Sequence, residues 1–178
     1  MDEIRYTITK LKQSEAEQIA SFGCDTDNPW TDISQGSEAR YYLLHEQYYK
    51  ASYFAIYEGN KLIGYFSVND RIRKDYGALQ LYILKTYRDR DTQIRILETI
   101  CEKTKELFPE CHYLNGIAWS DHPEAQEIYE DCGFEKQAPI KSSGHDMASY
   151  EQEGFSMDES LVEEKTMCIY MKDLRKSL

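Results

Sequence analysis

The sequence predicts one α+β domain over residues 1–178, in which about seven strands and several helices follow one another. Two observations lead to this prediction. Segments with the two-residue periodicity of strands alternate with segments that have the helical period of about 3.6 residues. No internal repeat, low-complexity tract or break in composition divides the 178 residues, which are enough to bury a sizeable core.

The N-terminal part begins with a strand and continues with helices. Apolar and polar residues alternate over Ile4–Leu11, which is typical of a half-buried strand. Helical spacing predicts helices over Ser14–Phe22 and Ser37–Lys50, with a loop rich in Asp, Asn, Pro and Gly between them. We expect Ser14 and Glu17 to form a capping box at the start of the first helix.

The middle of the chain predicts three consecutive strands. Ser52–Tyr57 and Leu62–Val68 are rich in aromatic and branched residues, and the Gly-Asn pair between them favours a hairpin turn. A polar connection over Asn69–Gly77 leads to the segment Ala78–Leu84. This segment has apolar residues on both faces, so we expect it to be a central strand.

The second half predicts a long helix and three further strands. A charged loop over Lys85–Asp91 precedes the long helix, Thr92–Phe108, which ends before a proline. Its buried face is predicted to comprise Ile94, Leu97, Ile100, Cys101, Thr104 and Leu107. The remaining strands are predicted over Tyr113–Trp119, Phe134–Ile140 and Met167–Met171, and residues 141–164 are expected to form a long loop or flap.

A short helix within Trp119–Glu135 carries one ionisable hydroxyl on its buried side. The residues that recur at helical spacing are Ala125, Ile128, Tyr129 and Cys132. Pro123 suits the first turn, Asp121 with Glu124 is expected to form a capping box, and Gly133 is a typical helix stop. The periodicity alone leaves Tyr129 as either a core aromatic or a functional hydroxyl.

The same segment resembles the C-terminal motif of the GNAT superfamily of N-acetyltransferases. Six positions match over twelve residues: Pro123, Glu124, Ala125, Tyr129, Gly133 and Phe134. His122 stands where the family usually has asparagine. The resemblance implies a mixed, mostly antiparallel sheet flanked by helices; it is good over residues 52–137 and only topological elsewhere.

The resemblance also implies a site that binds acetyl-CoA and acetylates an amine by direct attack in a ternary complex. Tyr129 would be the general acid for the departing thiolate, and a backbone N–H near Ile83 or Leu84 would polarise the thioester carbonyl. The cofactor contacts that it assigns are Tyr82, Ile83, Leu84, Arg88, Arg90, Asp91, Thr92, Gln93, His122 and Tyr129. The family's usual glutamate base is replaced by Gln80, and Asp70, Asp121 and His122 are the substitutes in the sequence.

The pyrophosphate-binding segment departs from the family pattern Gln/Arg-x-x-Gly-x-Gly/Ala. Arg88 matches the first position, whereas Asp91 and Gln93 replace the two small residues. Glycines let the backbone approach the phosphates, and an aspartate adds a negative charge beside them. Three accounts stay open: Arg88 and Arg90 hold the phosphates instead, the cofactor binds in another register, or the chain has lost the cofactor.

Composition narrows the class of partner. The formal net charge of −11 makes nucleic acid and anionic membranes unfavourable partners and is compatible with a cationic amine. No apolar run is long enough to cross a bilayer, and the acidic N-terminus lacks an apolar signal core, so we expect a cytoplasmic protein. The five cysteines and four histidines lack ligand spacing, so we expect reduced thiols and no metal site.

The sequence therefore leads to an N-acetyltransferase with an amine acceptor, either a small molecule, a peptide or a protein. A homodimer is one option for its assembly. The first alternative is a catalytically silent GNAT-fold binding or regulatory module, because the glycines are lost. The second is an aminoacyl-tRNA-acetylating toxin, whose N-terminal region the stretch Phe22–Trp30 faintly resembles, although the acidic charge disfavours RNA.

Overall fold

The computed structural model describes residues 5–21, Trp30, 51–137 and 167–176. The strands are β1 Tyr6–Lys10, β2 Ala51–Glu58, β3 Lys61–Arg73, β4 Tyr76–Ile83, β5 Tyr113–Trp119, β6 Glu135–Lys136 and β7 Met167–Asp173. The helices are α1 Gln13–Ser21, α2 Arg90–Leu107 and α3 Pro123–Asp131, and a 3₁₀ turn spans Lys85–Tyr87.

The strands form one seven-stranded sheet in the order β1-β2-β3-β4-β5-β7-β6. Neighbouring strands are antiparallel except for β4 and β5, which run parallel. The predicted α+β fold, with a mixed and mostly antiparallel sheet flanked by helices, is confirmed. Because β4 and β5 lie in the middle of the sheet, the segment expected to be a central strand is one.

The two faces of the sheet bury separate clusters of apolar side chains. Helices α2 and α3 cover one face, with a cluster that includes Ile96, Leu97, Ile100, Ile128 and Tyr129. The other face carries a smaller cluster that includes Leu11, Ala16, Tyr53, Tyr65 and Tyr82. Alternation along β5 places Leu114, Gly116 and Ala118 towards α2 and α3, since these three are buried while their neighbours are not.

The hairpin of β2 and β3 is confirmed, and it is longer than predicted. Gly59 in its turn has φ of +58°, a left-handed conformation that glycine adopts without strain. Strand β3 continues through the polar segment that was expected to be a connection, and it ends only at Arg73. The reason is pairing: Asn69 faces Ala78 and Arg73 faces Tyr76, so backbone bonds to β4 hold a segment whose side chains gave no strand pattern.

The starts of α1 and α2 correct the expected helix boundaries. Helix α1 begins at Gln13, and Glu15 accepts a hydrogen bond from the Lys12 N–H at 2.8 Å, so the predicted Ser14–Glu17 capping box is wrong. Helix α2 begins at Arg90, two residues early, because Asp89 caps it through the Thr92 N–H at 3.0 Å. Leu107, predicted to be buried, is 41% exposed since it lies in the last turn.

Helix α3 ends as predicted and begins differently. Gly133 has φ of +83°, and its N–H donates to Glu130 O at 3.0 Å, which confirms the glycine stop. The N-cap residue is His122, and its side chain makes no capping hydrogen bond. The Asp121–Glu124 capping box is therefore wrong, because the helix starts one residue later than such a box requires.

Several predictions lie outside the described residues. These are the loop over 23–36 apart from Trp30, the helix over Ser37–Lys50, the flap over 141–164 and the end of the sixth strand beyond Gln137. Within the described ranges no helix is long and apolar enough to span a bilayer. Four cysteines there are buried free thiols, and no group of three or more His, Cys, Asp or Glu side chains could hold a metal ion in that part of the chain.

Candidate functional site

The central parallel strands part from each other after a short paired segment. β4 and β5 pair only through Tyr76 with Tyr113, Gly77 with Leu114, and Ala78 with Asn115. Both strands then continue, β4 to Ile83 and β5 to Trp119. We call the gap between Leu79–Ile83 and Gly116–Trp119 the V-shaped opening.

Backbone groups of both strands face the V-shaped opening. On β4, the Leu84 N–H donates to Ile63 O of β3 at 2.8 Å. Backbone N–H and C=O groups point to alternate sides along a strand. The backbone groups of Tyr82 therefore also point to β3, whereas those of Leu81 and Ile83 point to the opening. Of the two residues that the sequence suggested for the oxyanion role, only Ile83 has an N–H that faces the opening, because the Leu84 N–H already has a partner.

The same argument applies to β5. The C=O of Ile169 on β7 accepts the Gln137 N–H on the β6 side at 2.8 Å, so it faces away from β5. Ile117 lies opposite Ile169, so its own N–H and C=O face the V-shaped opening. A parallel ladder that stops midway thus leaves polar backbone on both walls of the opening, which suits an extended ligand containing amide groups.

Tyr129 projects from α3 to the wall of this opening. Its side chain is 1% exposed, and it forms a backbone hydrogen bond with Ile117. This bond lowers the pKa of the hydroxyl, so the group that donates it is the Ile117 N–H. The motif residue that sequence reasoning singled out is therefore held where the two central strands separate.

Burial controls the protonation of Tyr129. Desolvation raises the pKa of its hydroxyl far above the ordinary value of 10.0, and the Ile117 bond offsets only part of this. The ring stacks on Tyr170 at 5.2 Å between centroids and meets the rings of Trp30 and Phe134 edge-on at 5.1 and 4.9 Å. The hydroxyl is consequently protonated at neutral pH, and the ring is fixed on several sides.

Gly116 is a site residue that sequence reasoning missed. A Cβ at this position would lie 2.3 Å from the Tyr129 hydroxyl oxygen and 2.4 Å from Cζ. Only glycine therefore permits the ring to lie against β5. A glycine within the strand YLNGIAW was the available signal, since it often marks close approach of another group.

The N-terminus of α2 is occupied by the chain's own carboxylate. Asp89 accepts the Thr92 N–H at 3.0 Å, and this bond holds the pKa of the carboxyl below its ordinary value. Asp91 adds a second acidic residue to the first turn. The amide that would bind a phosphate oxygen in a glycine-rich loop is thus already paired with an anion.

Gln93 fills the second position where a small residue was expected. It is 1% exposed, and its amide donates to Arg88 O at 2.7 Å while accepting the Trp30 indole N–H at 2.8 Å. Trp30 is 4% exposed and contacts Tyr129 as well, so it bridges the helices that follow the two parted strands.

The side chains of Arg88 and Arg90 both have partners within the chain. Arg88 donates to Ile83 O at 2.8 Å and lies over the Tyr82 ring, with 5.8 Å from Cζ to the centroid. Arg90 pairs with Glu127 at 2.7 Å and with Asp131, both on α3. The Arg90 pairs are solvent-exposed, so a ligand phosphate can compete for this guanidinium at small cost.

The substitutes for a general base are scattered. Gln80 is exposed on the face away from α2 and lies 3.5 Å from the Ser67 hydroxyl. Asp121 and His122 lie after the end of β5, with 3.9 Å between the carboxylate and the imidazole Nε2. The side chain of Asp70 is outside the described residues.

The chain has the GNAT fold, and it resembles solved structures of acetyltransferases in shape. A chimera of the Vibrio cholerae spermidine N-acetyltransferase SpeG and hSSAT aligns over 96% of both chains with 12% identity and a TM-score of 0.72. The Vibrio cholerae spermidine N-acetyltransferase in complex with CoA and spermine aligns over 96% of both with 12% identity and a TM-score of 0.70.

A third structure is more distant in shape. The putative acetyltransferase yncA from Salmonella typhimurium with its cofactor acetyl-CoA aligns over 97% of this chain and 95% of its own, with 11% identity and a TM-score of 0.63. No protein-family model matches the sequence, and no curated protein is significantly similar to it. At these identities the comparison establishes the fold alone.

Proposed function

We propose that this chain is an acetyl-CoA-dependent N-acetyltransferase that acts on an amine. The observation that carries the proposal is the Tyr129 hydroxyl, held by Ile117 at the wall of the V-shaped opening. In that position a protonated hydroxyl lies beside the backbone groups of β4 and β5 that face the V-shaped opening. The Vibrio and Salmonella neighbours support the proposal, since the first is a spermidine N-acetyltransferase in complex with CoA and the second a putative acetyltransferase with its cofactor acetyl-CoA.

The fit of acetyl-CoA differs between its two halves. The pantetheine arm contains two amides, which suit the backbone of Leu81, Ile83 and Ile117 around the opening. The start of α2 offers the phosphates no glycine-rich loop, because Asp89 and Gln93 occupy it with hydrogen bonds to the chain itself. Arg90 is the side chain that would compensate, by exchanging its exposed carboxylate partners for phosphate oxygens.

The residues of this chain then have distinct tasks. Bound acetyl-CoA supplies a thioester whose acyl carbon an amine can attack. The Ile83 N–H lies on the wall where it can stabilise negative charge on the carbonyl oxygen, as in an oxyanion hole. The amine nitrogen forms the C–N bond as the C–S bond breaks, and Tyr129 donates its proton to the departing sulfur. The proton that the nitrogen loses returns Tyr129 to its hydroxyl form, so the products are the acetylated amine and free CoA.

A catalytically silent binding module is the second candidate, and one observation favours it. Asp89 and Gln93 together replace the anion site of α2 with internal hydrogen bonds, which removes much of the usual binding energy for phosphates. Such a protein would keep the fold and the buried tyrosine without turnover.

A mass-spectrometric transfer assay separates the two candidates. The protein is incubated with acetyl-CoA and a panel of primary amines, and both acetylated amine and free CoA are measured. We expect equal amounts of both products, dependent on protein and amine. An absence of both products across the panel, together with no binding of acetyl-CoA in calorimetry, would refute acetyl transfer and favour the silent module.

A further inference from the structure

The sheet face opposite α2 and α3 carries a polar depression at the base of the V-shaped opening. Strand register aligns Asn69, Ala78 and Asn115 side by side, and Ser67 with Gln80 form the next row. Ala78 is exposed, and its side chain is much smaller than those of its neighbours, so the surface is recessed at this position. We call Ser67, Asn69, Gln80 and Asn115, around Ala78, the polar hollow.

One atom of the polar hollow is buried without a hydrogen bond. Asn115 Oδ1 has no partner among the groups that the structure describes. A buried acceptor without a donor costs folding free energy, so such atoms are rare in native proteins. A ligand that brings an N–H group to Asn115 would remove this cost, and the atom therefore points to a binding site.

The polar hollow adjoins the place where chemistry is proposed. Asn115 precedes Ile117 by two residues, a separation of about 6.7 Å along a strand. Extending the register of β4 and β5 by two residues sets Gln80 level with Ile117, across the V-shaped opening. The face towards α2 is closed by buried Tyr129, whereas Ala78, Gln80 and Ile117 are exposed on the opposite face. Among the residues that the structure describes, the exposed side chains beside the opening therefore lie on the side of the polar hollow, from which we expect an amine acceptor to enter.

The side chains of the polar hollow select by hydrogen bonding rather than by charge. All four are uncharged, and three of them are amides that both donate and accept. An alkylammonium, with a pKa near that of lysine at about 10.4, would need a carboxylate to offset its desolvation. An α-amine has a pKa of about 7.7–8.0 and is partly neutral at neutral pH. Its adjacent carbonyl and N–H groups match amide side chains.

We infer that the polar hollow binds the acceptor, and that this acceptor is an α-amine next to an amide or other carbonyl group rather than a polyamine. Asn115 accepts an N–H of the acceptor through Oδ1, which positions the nitrogen beside the V-shaped opening. Asn115 is thus a specificity-determining residue. The inference deepens the proposed function, and it relies on that function for the acetyl transfer but not for the binding.

The test uses L-alaninamide as the α-amine probe and spermidine as the polyamine, with wild type and Asn115→Leu. Leucine has nearly the shape of asparagine but cannot accept the N–H. Gln13→Leu, an amide-to-leucine change at the exposed start of α1, is the control. We expect wild type to have at least tenfold higher kcat/KM for L-alaninamide than for spermidine. In Asn115→Leu, we expect KM for L-alaninamide to rise at least tenfold while Tm stays the same or rises.

The binding and transfer parts can fail separately. If wild type acetylates neither amine but L-alaninamide raises its Tm and not that of Asn115→Leu, the polar hollow is supported and acetyl transfer is not. Preference of wild type for spermidine would overturn the inference. So would a KM for L-alaninamide within twofold of wild type in Asn115→Leu, or an absence of both turnover and a Tm shift. If Asn115→Leu does not fold, Asn115→Ser, which shortens the acceptor, takes its place with the same expectations.

Discussion

Replacing Tyr129 with phenylalanine removes one oxygen from a ring that is otherwise fully packed. The ring stays held by Tyr170, Trp30 and Phe134, so packing is retained. The Ile117 N–H, however, loses its partner in a buried place. An unsatisfied buried donor costs about 1–3 kcal/mol, so Tyr129→Phe should lower the free energy of unfolding by that amount. The variant should therefore fold but be measurably less stable.

Turnover should fall further than stability explains. Loss of a positioned proton donor lowers kcat by roughly ten- to a thousandfold, with little change in acetyl-CoA affinity. The assay is release of free CoA at saturating acetyl-CoA, at a temperature where urea unfolding shows both proteins folded.

Tyr170→Phe is a matched control for this prediction. Its ring stacks on that of Tyr129 at 5.2 Å, and its hydroxyl donates to Gln126 at 3.2 Å, so the same chemical change occurs one ring away. We expect Tyr170→Phe to keep kcat within about threefold, since its hydroxyl has no assigned part in proton transfer. Unchanged kcat in Tyr129→Phe, or equal losses in both variants, would refute the general-acid role.

Three further predictions concern groups near the site. Gly116→Ala should destabilise the fold by about 1–3 kcal/mol and abolish turnover, because its Cβ overlaps Tyr129; normal urea unfolding would contradict this. Asp89→Asn keeps a capping oxygen for Thr92 but removes a charge, so calorimetry should show CoA binding about fivefold tighter, from about 1 kcal/mol of repulsion; unchanged affinity would contradict it. Burial raises the pKa of the Cys101 thiol from 9.0 to about 11, so its contribution to the free energy of unfolding is full below pH 9 and falls as the pH rises towards 11. Cys101→Ala should reduce this loss by up to about 1.4 kcal/mol per pH unit. An identical pH dependence of urea unfolding in wild type and Cys101→Ala would contradict the assignment.

The parts of the fold that depend on local pattern could be predicted from the sequence. Tyr113–Trp119 has the bounds that alternation predicts, and Gly133 ends α3 in the left-handed conformation expected of a glycine stop. Helix starts were less accurate, because Asp89 and Glu15 compete with other polar residues nearby to be capping groups. The choice between such candidates depends on how the preceding turn packs.

The site was predictable only in part, for a physical reason. The motif identified Tyr129, since spacing alone places it on the buried face of α3. Strand register, which no short motif encodes, decides where β4 and β5 part and which of Ile83 and Leu84 faces the V-shaped opening. Hydrogen bonds of Gln93 to Trp30 and Arg88 join residues 63 and 5 positions apart, so only the folded chain shows them.

Amide hydrogen exchange by NMR tests most directly whether the V-shaped opening takes acetyl-CoA. The N–H groups of Leu81 and Ile83 face the opening, whereas that of Tyr82, between them, faces β3. We predict that saturating acetyl-CoA slows exchange at Leu81 and Ile83 and leaves Tyr82 unchanged, because the pantetheine arm accepts hydrogen bonds from one side of β4. Unchanged exchange at Leu81 and Ile83 with acetyl-CoA bound, or equal protection at all three residues, would contradict binding in the opening.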